Sequence, residues 1–327
     1  MPQVILHIGT NKTGTTALQH FWSANRDELL RHGLLYPHAG RMGQAHYDLS
    51  DALDFRYTPH PDPVAQQHKR SALSADLAAE VAAAQPRLVL VSSEFFTLPN
   101  DPSTVRAFFQ GWDVRVIVYF RRHDTWWESA YAQATRYVES PPWPPGPESF
   151  IDWHRRNDPD FGNYRALVDR WSSVFGCEHI IVRPYERQQN RPDLLADFMC
   201  AIGAEDINAS IDAVSSAVNK SMPPQAVILA DIVQRLAVSA EIKRRLLSHV
   251  LNIRELGGRT SLLSPAARRW LAEEWMEDYT YIAKTFMSRP HGRLFYDSLP
   301  DPTSDWRPPQ ITPQRALEVA LKALDIE

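Results

Sequence analysis

The sequence is poor in lysine and cysteine and has no long apolar run. Its 327 residues include six lysines against 29 arginines, and two cysteines, Cys177 and Cys200. Two cysteines without metal-type spacing argue against a disulfide framework and favour a reducing compartment. No stretch of about 18 apolar residues occurs, so we expect no membrane-spanning helix.

The overall composition is that of a soluble globular protein, with 44% hydrophobic and 23% charged residues. The net charge of −4 argues against broad nucleic-acid binding. The apolar stretch from Val4 to Ile8 is too short for a secretory signal and lacks a basic flank. We therefore expect a cytoplasmic protein that binds no nucleic acid.

The most informative stretch is QVILHIGTNKTGTTALQH, residues 3–20. Gln3 to Ile8 reads as a strand buried in a parallel sheet, and Gly9 to Gly14 reads as a tight loop. Apolar residues return at helical spacing from about Thr15. This strand–loop–helix order predicts an anion site, because loop N–H groups and a helix N-terminus point at the same place.

The position of the lysine separates this loop from a nucleoside triphosphate P-loop. That motif has lysine directly after the second glycine, whereas Thr15 stands there in this chain and the lysine is Lys12. No hydrophobic strand ends in an aspartate suited to hold Mg²⁺. The pattern predicts a phosphate-bearing donor that needs no metal. The structural alternative is a plain strand–helix turn with a solvated lysine.

Three further strands are predicted at residues 87–92, 113–120 and 178–183, with helices between them. From about residue 223 the chain is mostly helical, over residues 223–236, 239–253, 264–288 and 312–324. Strands that alternate with helices predict an α/β fold, a three-layer sandwich with a central parallel sheet. We expect a single domain over residues 1–327.

Polar residues follow the predicted strands. Arg121 directly follows the strand DVRVIVYF, and Ser129 lies eight residues after Arg121. An arginine at a strand end can bind a phosphate through a charge-assisted fork, and a serine can share the same oxygen. Thr125 and Glu128 have the spacing of a capping box, which predicts a helix N-terminus beside Arg121. Arg122 is interpreted as a solvated charge.

The stretch from His7 to Gln19 resembles the 5′-phosphosulfate loop of the PAPS-dependent sulfotransferases, most closely in their bacterial branch. The Arg121 and Ser129 pair resembles the 3′-phosphate motif of the same family. The resemblance implies a P-loop-like phosphosulfate loop, 3′-phosphoadenylyl sulfate (PAPS) as donor, 3′,5′-adenosine bisphosphate (PAP) as product, and no metal. The loop residues implied in donor binding are Lys12, Thr13, Gly14, Thr15 and Thr16.

The resemblance implies further nucleotide contacts. Asn219 and Ser221 match a stretch that contacts the nucleotide in bacterial relatives, although Ser221 is equally suited to be a helix N-cap before Pro223. Tyr185 occupies the place where relatives have an aromatic residue near the adenine.

Sulfuryl transfer needs a cation for the leaving group and a base for the acceptor proton. We assign Lys12 to the first role. Glu94, which directly follows the second long strand, is the leading candidate for the base, and His46 is the alternative. His7 is interpreted as a packed residue. The other histidines lack ligand spacing, so we predict no metal site.

The acceptor is left open by the sequence: a hydroxyl or amine of a carbohydrate, lipid or small metabolite. An aromatic group after Arg121 predicts either an acceptor pocket or ordinary core, and its members are Trp126, Trp127, Tyr131, Trp143 and Trp153. Two other functions stay open, a P-loop kinase or NTPase with a degenerate motif and a non-catalytic nucleotide-binding relative. The oligomeric state is also open.

Overall fold

The computed structural model describes residues 2–210, 222–253 and 260–324. Its sheet has five parallel strands in the order β2-β3-β1-β4-β5. The strands are β1 Gln3–His7, β2 Leu34–Leu35, β3 Leu88–Ser92, β4 Asp113–Phe120 and β5 Ile180–Pro184. The predicted α/β class with a central parallel sheet is confirmed.

The helices between and after the strands follow the predicted alternation. They are α1 Thr15–Ala24, α2 Arg26–Arg31, α3 Tyr47–Ala52, α4 Pro63–Ala84, α5 Ser103–Phe108, α6 His123–Tyr137, α7 Pro147–Asn157, α8 Tyr164–Phe175, α9 Leu194–Ala201, α10 Glu205–Ser210, α11 Pro224–Arg235, α12 Ala240–Asn252, α13 Pro265–Glu274, α14 Met276–Met287 and α15 Pro313–Leu324. Short 3₁₀ turns cover Glu94–Thr97 and Cys177–His179.

Both faces of the sheet are covered by helices. Leu90 and Ile117 belong to a buried cluster that also contains Trp22 of α1. Phe120 is three residues beyond Ile117, so its side chain points to the opposite face. There it stacks on Tyr164 of α8, with ring centroids 4.2 Å apart. The sheet is therefore the middle one of three layers, which explains why its strands are nearly continuous apolar runs.

The chain divides into two compact units. The first consists of the described parts of Met1–Arg121, Asn163–Val218 and Met276–Asp297, and it contains the sheet. The second consists of the described parts of Arg122–Gly162, Asn219–Trp275 and Ser298–Glu327, and its regular structure is helical. The helical C-terminal part is confirmed, and the single domain over residues 1–327 stays a prediction.

The capping-box prediction for α6 is wrong. The helix begins at His123, two residues before the predicted cap, and the hydroxyl of Thr125 donates to the carbonyl of Arg122 within the first turn. Glu128 instead accepts the backbone N–H of Leu263 at 2.8 Å. Threonine inside a helix commonly bonds back to a carbonyl three or four residues earlier, so the T-x-x-E spacing misplaced the helix start.

The predicted helix over residues 264–288 is two helices, α13 and α14, interrupted at Trp275. At this point the chain passes from the second unit to the first. None of the helices in the described ranges combines the length and apolarity that crossing a membrane requires.

The aromatic group after Arg121 forms part of the core of the second unit. Four of its members are at most 5% exposed, and Trp153 packs against them from a partly buried position. Buried rings of this kind have no open face on which a ligand can stack. The core interpretation is therefore correct for the four buried members, Trp126, Trp127, Tyr131 and Trp143.

Candidate active site

The loop after β1 lies at the carboxyl edge of the sheet, where β1 is flanked by β3 and β4. It continues the pairing with β4, because Thr10 N–H donates to the Tyr119 carbonyl at 3.0 Å and Tyr119 N–H donates to the Gly9 carbonyl at 2.7 Å. The Thr13 hydroxyl closes the loop by donating to the Thr10 carbonyl at 2.6 Å. These bonds hold the loop where ligands bind in open α/β sheets.

Three residues of the loop, Gly9, Lys12 and Gly14, have left-handed backbone conformations. Lys12 has φ 66°, which costs an L-residue about 1–2 kcal/mol. Such conformations concentrate at functional sites. Gly14 has φ 81°, and a Cβ there would overlap Cδ2 of Leu194 and lie 3.3 Å from Cε2 of Tyr185. The backbone conformation therefore favours glycine at position 14, and a larger residue would also have to displace the Leu194 side chain.

The backbone N–H groups from Thr13 to Thr16 donate to no acceptor in the part of the chain that the structure describes. Helix α1 begins at Thr15, and its first turn contains no acidic residue. The side chain of Thr15 is buried and that of Thr16 is exposed. Consecutive unpaired N–H groups at a helix N-terminus, together with the helix dipole, favour an anion at this place.

Arg121 contacts the loop directly. Its Nη1 donates to the Lys12 carbonyl at 3.3 Å, and its guanidinium lies 5.9 Å from the ring centre of Tyr185. The backbone carbonyl of Arg121 accepts the hydroxyl of the buried Tyr164 at 2.8 Å. The structure thus brings Lys12, Gly14, Arg121 and Tyr185 together. Tyr164, which fixes the backbone of Arg121, carried no sequence signal beyond its place at the start of a helix.

Glu94 lies on the other side of the loop. A Cβ on Gly9 would stand 3.6 Å from Cα of Glu94, so the two residues are neighbours in space. The Oε2 atom of Glu94 accepts Gln19 Nε2 at 2.9 Å and the Tyr47 hydroxyl at 3.1 Å. Gln19 also donates to the Ser92 hydroxyl at 3.1 Å. Neither Gln19 nor Tyr47 carried a sequence signal for this contact, because both lie far from Glu94 in the chain.

His46 is completely buried, and both of its ring nitrogens are used. Ser92 N–H donates to Nδ1 at 3.1 Å, and Nε2 donates to the Pro37 carbonyl at 3.1 Å. Burial lowers the pKa of His46 from 6.5 to about 4. A ring with no open nitrogen cannot take a proton from an acceptor, so Glu94 alone is kept as the candidate base. His7 is also buried, as expected of a packed residue, and its Nδ1 contacts the Ser92 hydroxyl.

The buried ring of His46 predicts acid sensitivity. Its pKa is about 4 in the folded chain and 6.5 in the unfolded chain, so only the unfolded chain gains this proton between those values. The His46 contribution to the free energy of unfolding is therefore complete above pH 6.5 and falls by up to about 1.4 kcal/mol per pH unit towards pH 4. Urea unfolding of wild type and His46→Gln at several pH values measures this, since the variant should show a shallower slope. Parallel slopes would contradict the assignment.

Three other predicted site residues stay predictions. Ser129 lies half-buried in α6 of the second unit, whereas Arg121 belongs to the first, so their pairing stays a prediction. Asn219 and Ser221 lie outside the described residues. Within the described ranges, no set of three or more histidine, cysteine, aspartate or glutamate side chains is arranged to hold a metal ion. A metal-free donor site stays a prediction.

The similarity of this chain to known proteins is one of structure. No protein-family profile matches the sequence, and no curated protein matches it. Among solved structures, the chain is similar to a sulfotransferase from Alicyclobacillus acidocaldarius, with 18% identity and a TM-score of 0.41. The match covers 75% of this chain and 99% of that one. A similarity of this extent does not assign an activity to this chain.

Proposed function

We propose that this chain is a PAPS-dependent sulfotransferase that transfers a sulfuryl group to a hydroxyl or amine. The observation that carries the proposal is the row of N–H groups from Thr13 to Thr16, which lies beside Lys12 and next to Arg121. Backbone donors and two cations in one place suit an anionic donor with more than one phosphate group. The likeness of the loop sequence to a phosphosulfate loop supports the same donor.

In the proposed reaction the acceptor oxygen or nitrogen attacks the sulfur in line. The new bond to sulfur forms while the bond between sulfur and the bridging phosphate oxygen breaks, and PAP leaves with that electron pair. Lys12 stabilises the negative charge that grows on the bridging oxygen. The proton of the acceptor passes to the carboxylate of Glu94. Arg121 and Tyr185 bind the nucleotide.

The competing function is a kinase or NTPase that uses Mg-ATP. The lysine precedes the second glycine of the loop instead of following it, and this position argues against a triphosphate site. The two functions differ in ligand and in metal dependence, so one binding experiment separates them.

Calorimetric titration of the full chain with PAP in EDTA, and separately with ATP and Mg²⁺, tests the proposal. We expect metal-independent binding of PAP and little binding of Mg-ATP. In Arg121→Ala, PAP should bind about 10- to 150-fold more weakly, because a hydrogen bond to a charged group contributes about 1.5–3 kcal/mol. Arg244→Ala, which removes an exposed arginine of α12, is the matched control. Binding of Mg-ATP without PAP would establish the kinase alternative instead.

A further inference from the structure

Three polar side chains are buried next to Glu94 in the first unit. They are His7, Gln19 and Ser92, and each is at most 3% exposed. His7 and Ser92 are partners in the register of β1 and β3, so their side chains lie on the same face of the sheet. Gln19 reaches this face from α1. Because a buried polar group without a partner costs free energy, each polar hydrogen of these side chains needs an acceptor.

These side chains form one chain of hydrogen bonds that ends at the candidate base. Nε2 of Gln19 lies 2.9 Å from Oε2 of Glu94 and 3.1 Å from Oγ of Ser92. The same Oγ lies 2.8 Å from Nδ1 of His7. Within the described ranges, Oγ of Ser92 makes no other hydrogen bond. The carboxylate of Glu94 is therefore linked to the ring of His7 through two side chains.

The carboxylate fixes the direction of every bond in this chain. A carboxylate can only accept, so the amide nitrogen of Gln19 donates one of its two hydrogens to Glu94. The other hydrogen goes to Ser92, whose Oγ therefore accepts. The hydroxyl hydrogen of Ser92 then has one acceptor left, which is Nδ1 of His7. It follows that Nδ1 has a lone pair and that the hydrogen of the neutral ring is on Nε2.

The surroundings of His7 favour the same tautomer. Burial lowers the pKa of His7 from 6.5 to about 4, so the ring is neutral at pH 7 and carries one hydrogen. Nε2 is buried and has no hydrogen-bond partner within the described ranges. Three aromatic rings surround it, nearly perpendicular to the imidazole and with centroids 5.4 to 6.4 Å away: Trp22, Tyr119 and Phe198. An aromatic face attracts an N–H group weakly and repels a lone pair, which favours the hydrogen on Nε2.

We propose that His7 is a positioning residue for the candidate base: its Nδ1 takes the hydrogen of Ser92, and this holds the Gln19 amide with its nitrogen towards Glu94. This inference rests on the proposed sulfotransferase function and adds to it a residue that does not touch the substrate. Without an acceptor at Nδ1, the Ser92 hydroxyl would donate to Gln19, whose amide would turn its oxygen towards both Ser92 and Glu94. An amide oxygen and a carboxylate repel each other, so Glu94 would be displaced.

The tautomer is tested by ¹⁵N NMR of the full chain labelled at histidine, at pH 7. The His7 signals are identified as those missing from His7→Phe, which keeps an aromatic ring at this position. Ser92→Ala identifies them a second time, because it removes the partner of Nδ1 and leaves the ring unchanged. We expect the hydrogen on Nε2. A hydrogen on Nδ1 would overturn the proposal, because Ser92 would then accept from His7 and its own hydrogen would be free to turn Gln19.

The effect on Glu94 is measured as hydrolysis of PAPS to PAP and sulfate, with water as the acceptor. In His7→Phe we expect the rate to fall about 3- to 10-fold, the effect of one hydrogen bond, while the Kd of PAP stays at the wild-type value. His7→Asn should recover most of the rate, because its amide oxygen can take the place of Nδ1. Glu94→Gln marks the rate that remains without the base. An unchanged rate in His7→Phe would overturn the positioning role.

Phe198→Leu is the matched control for packing. Phe198 is completely buried and its ring contacts that of His7, but it has no part in the chain of hydrogen bonds. The substitution should lower the free energy of unfolding and leave the rate of PAPS hydrolysis unchanged. If Phe198→Leu and His7→Phe lost stability and rate in equal measure, His7 would be a packed residue and nothing more.

A double substitution tests whether the effect passes through Gln19. Gln19→Met removes the amide, so it should lower the rate at least as much as His7→Phe. Adding His7→Phe to Gln19→Met should then cause little further loss, because the chain is already interrupted. Losses that multiply would show that His7 does not act through Gln19.

The two proposals fail in different ways. If wild type binds PAP but His7 carries its hydrogen on Nδ1, the positioning role is wrong and the sulfotransferase proposal stands. If wild type does not bind PAP, the proposed function is wrong and the role of His7 in it is lost, whatever tautomer the NMR spectrum shows.

Discussion

Lys12→Ala is expected to lower kcat by about 10²- to 10³-fold, the usual loss when one preorganised electrostatic contact to a developing negative charge is removed. The charge on the bridging oxygen of the donor appears only as the sulfur–oxygen bond breaks. The loss should therefore be larger in kcat than in PAP affinity. Alanine keeps a Cβ, so the left-handed backbone at φ 66° is neither relieved nor strained further.

Single-turnover kinetics with PAPS, together with calorimetry of PAP, would separate these two effects. Lys322→Ala is the control, since it removes an exposed lysine from α15 and should leave both quantities unchanged. A kcat within about threefold of wild type in Lys12→Ala would exclude Lys12 from the chemical step.

Glu94→Gln is expected to reduce turnover by about 10²- to 10⁴-fold, the usual contribution of a positioned general base. The glutamine side chain has nearly the same shape, and its amide oxygen can still accept from Gln19 and Tyr47. It cannot take a proton. PAP affinity should therefore stay at the wild-type value, and the loss should appear in kcat.

Steady-state rates of Glu94→Gln with a saturating acceptor, beside the Kd of PAP, would check this result. Glu241→Gln, an exposed position at the start of α12, controls for the loss of one negative charge. Full activity in Glu94→Gln would remove Glu94 from the reaction. His46 would not replace it, since both of its ring nitrogens are hydrogen-bonded inside the protein.

Much of the fold could be predicted because it depends on neighbouring residues. The strand Asp113–Phe120 has the predicted bounds, since an apolar run is a local pattern. The predictions that were wrong rested on local patterns that are compatible with two different structures. Thr125 and Glu128 have capping-box spacing, yet Glu128 bonds to Leu263, 135 residues away in the chain. The long helix predicted over residues 264–288 is broken at Trp275 for the same kind of reason, a change of packing partner.

The sequence alone determined the strand–loop–helix element that begins in residues 3–20 and the identity of the charged residues that follow the strands. Parallel strands place their carboxyl ends at one edge, so Lys12, Glu94 and Arg121 were expected together before any contact was known. Tertiary structure decided which of the remaining side chains lie at the candidate active site. Contacts across 47 and 75 residues of chain bring Tyr47 and Gln19 to Glu94. Tertiary packing buries His46. No local sequence pattern indicates this burial, because the residues that pack around a side chain come from distant parts of the chain.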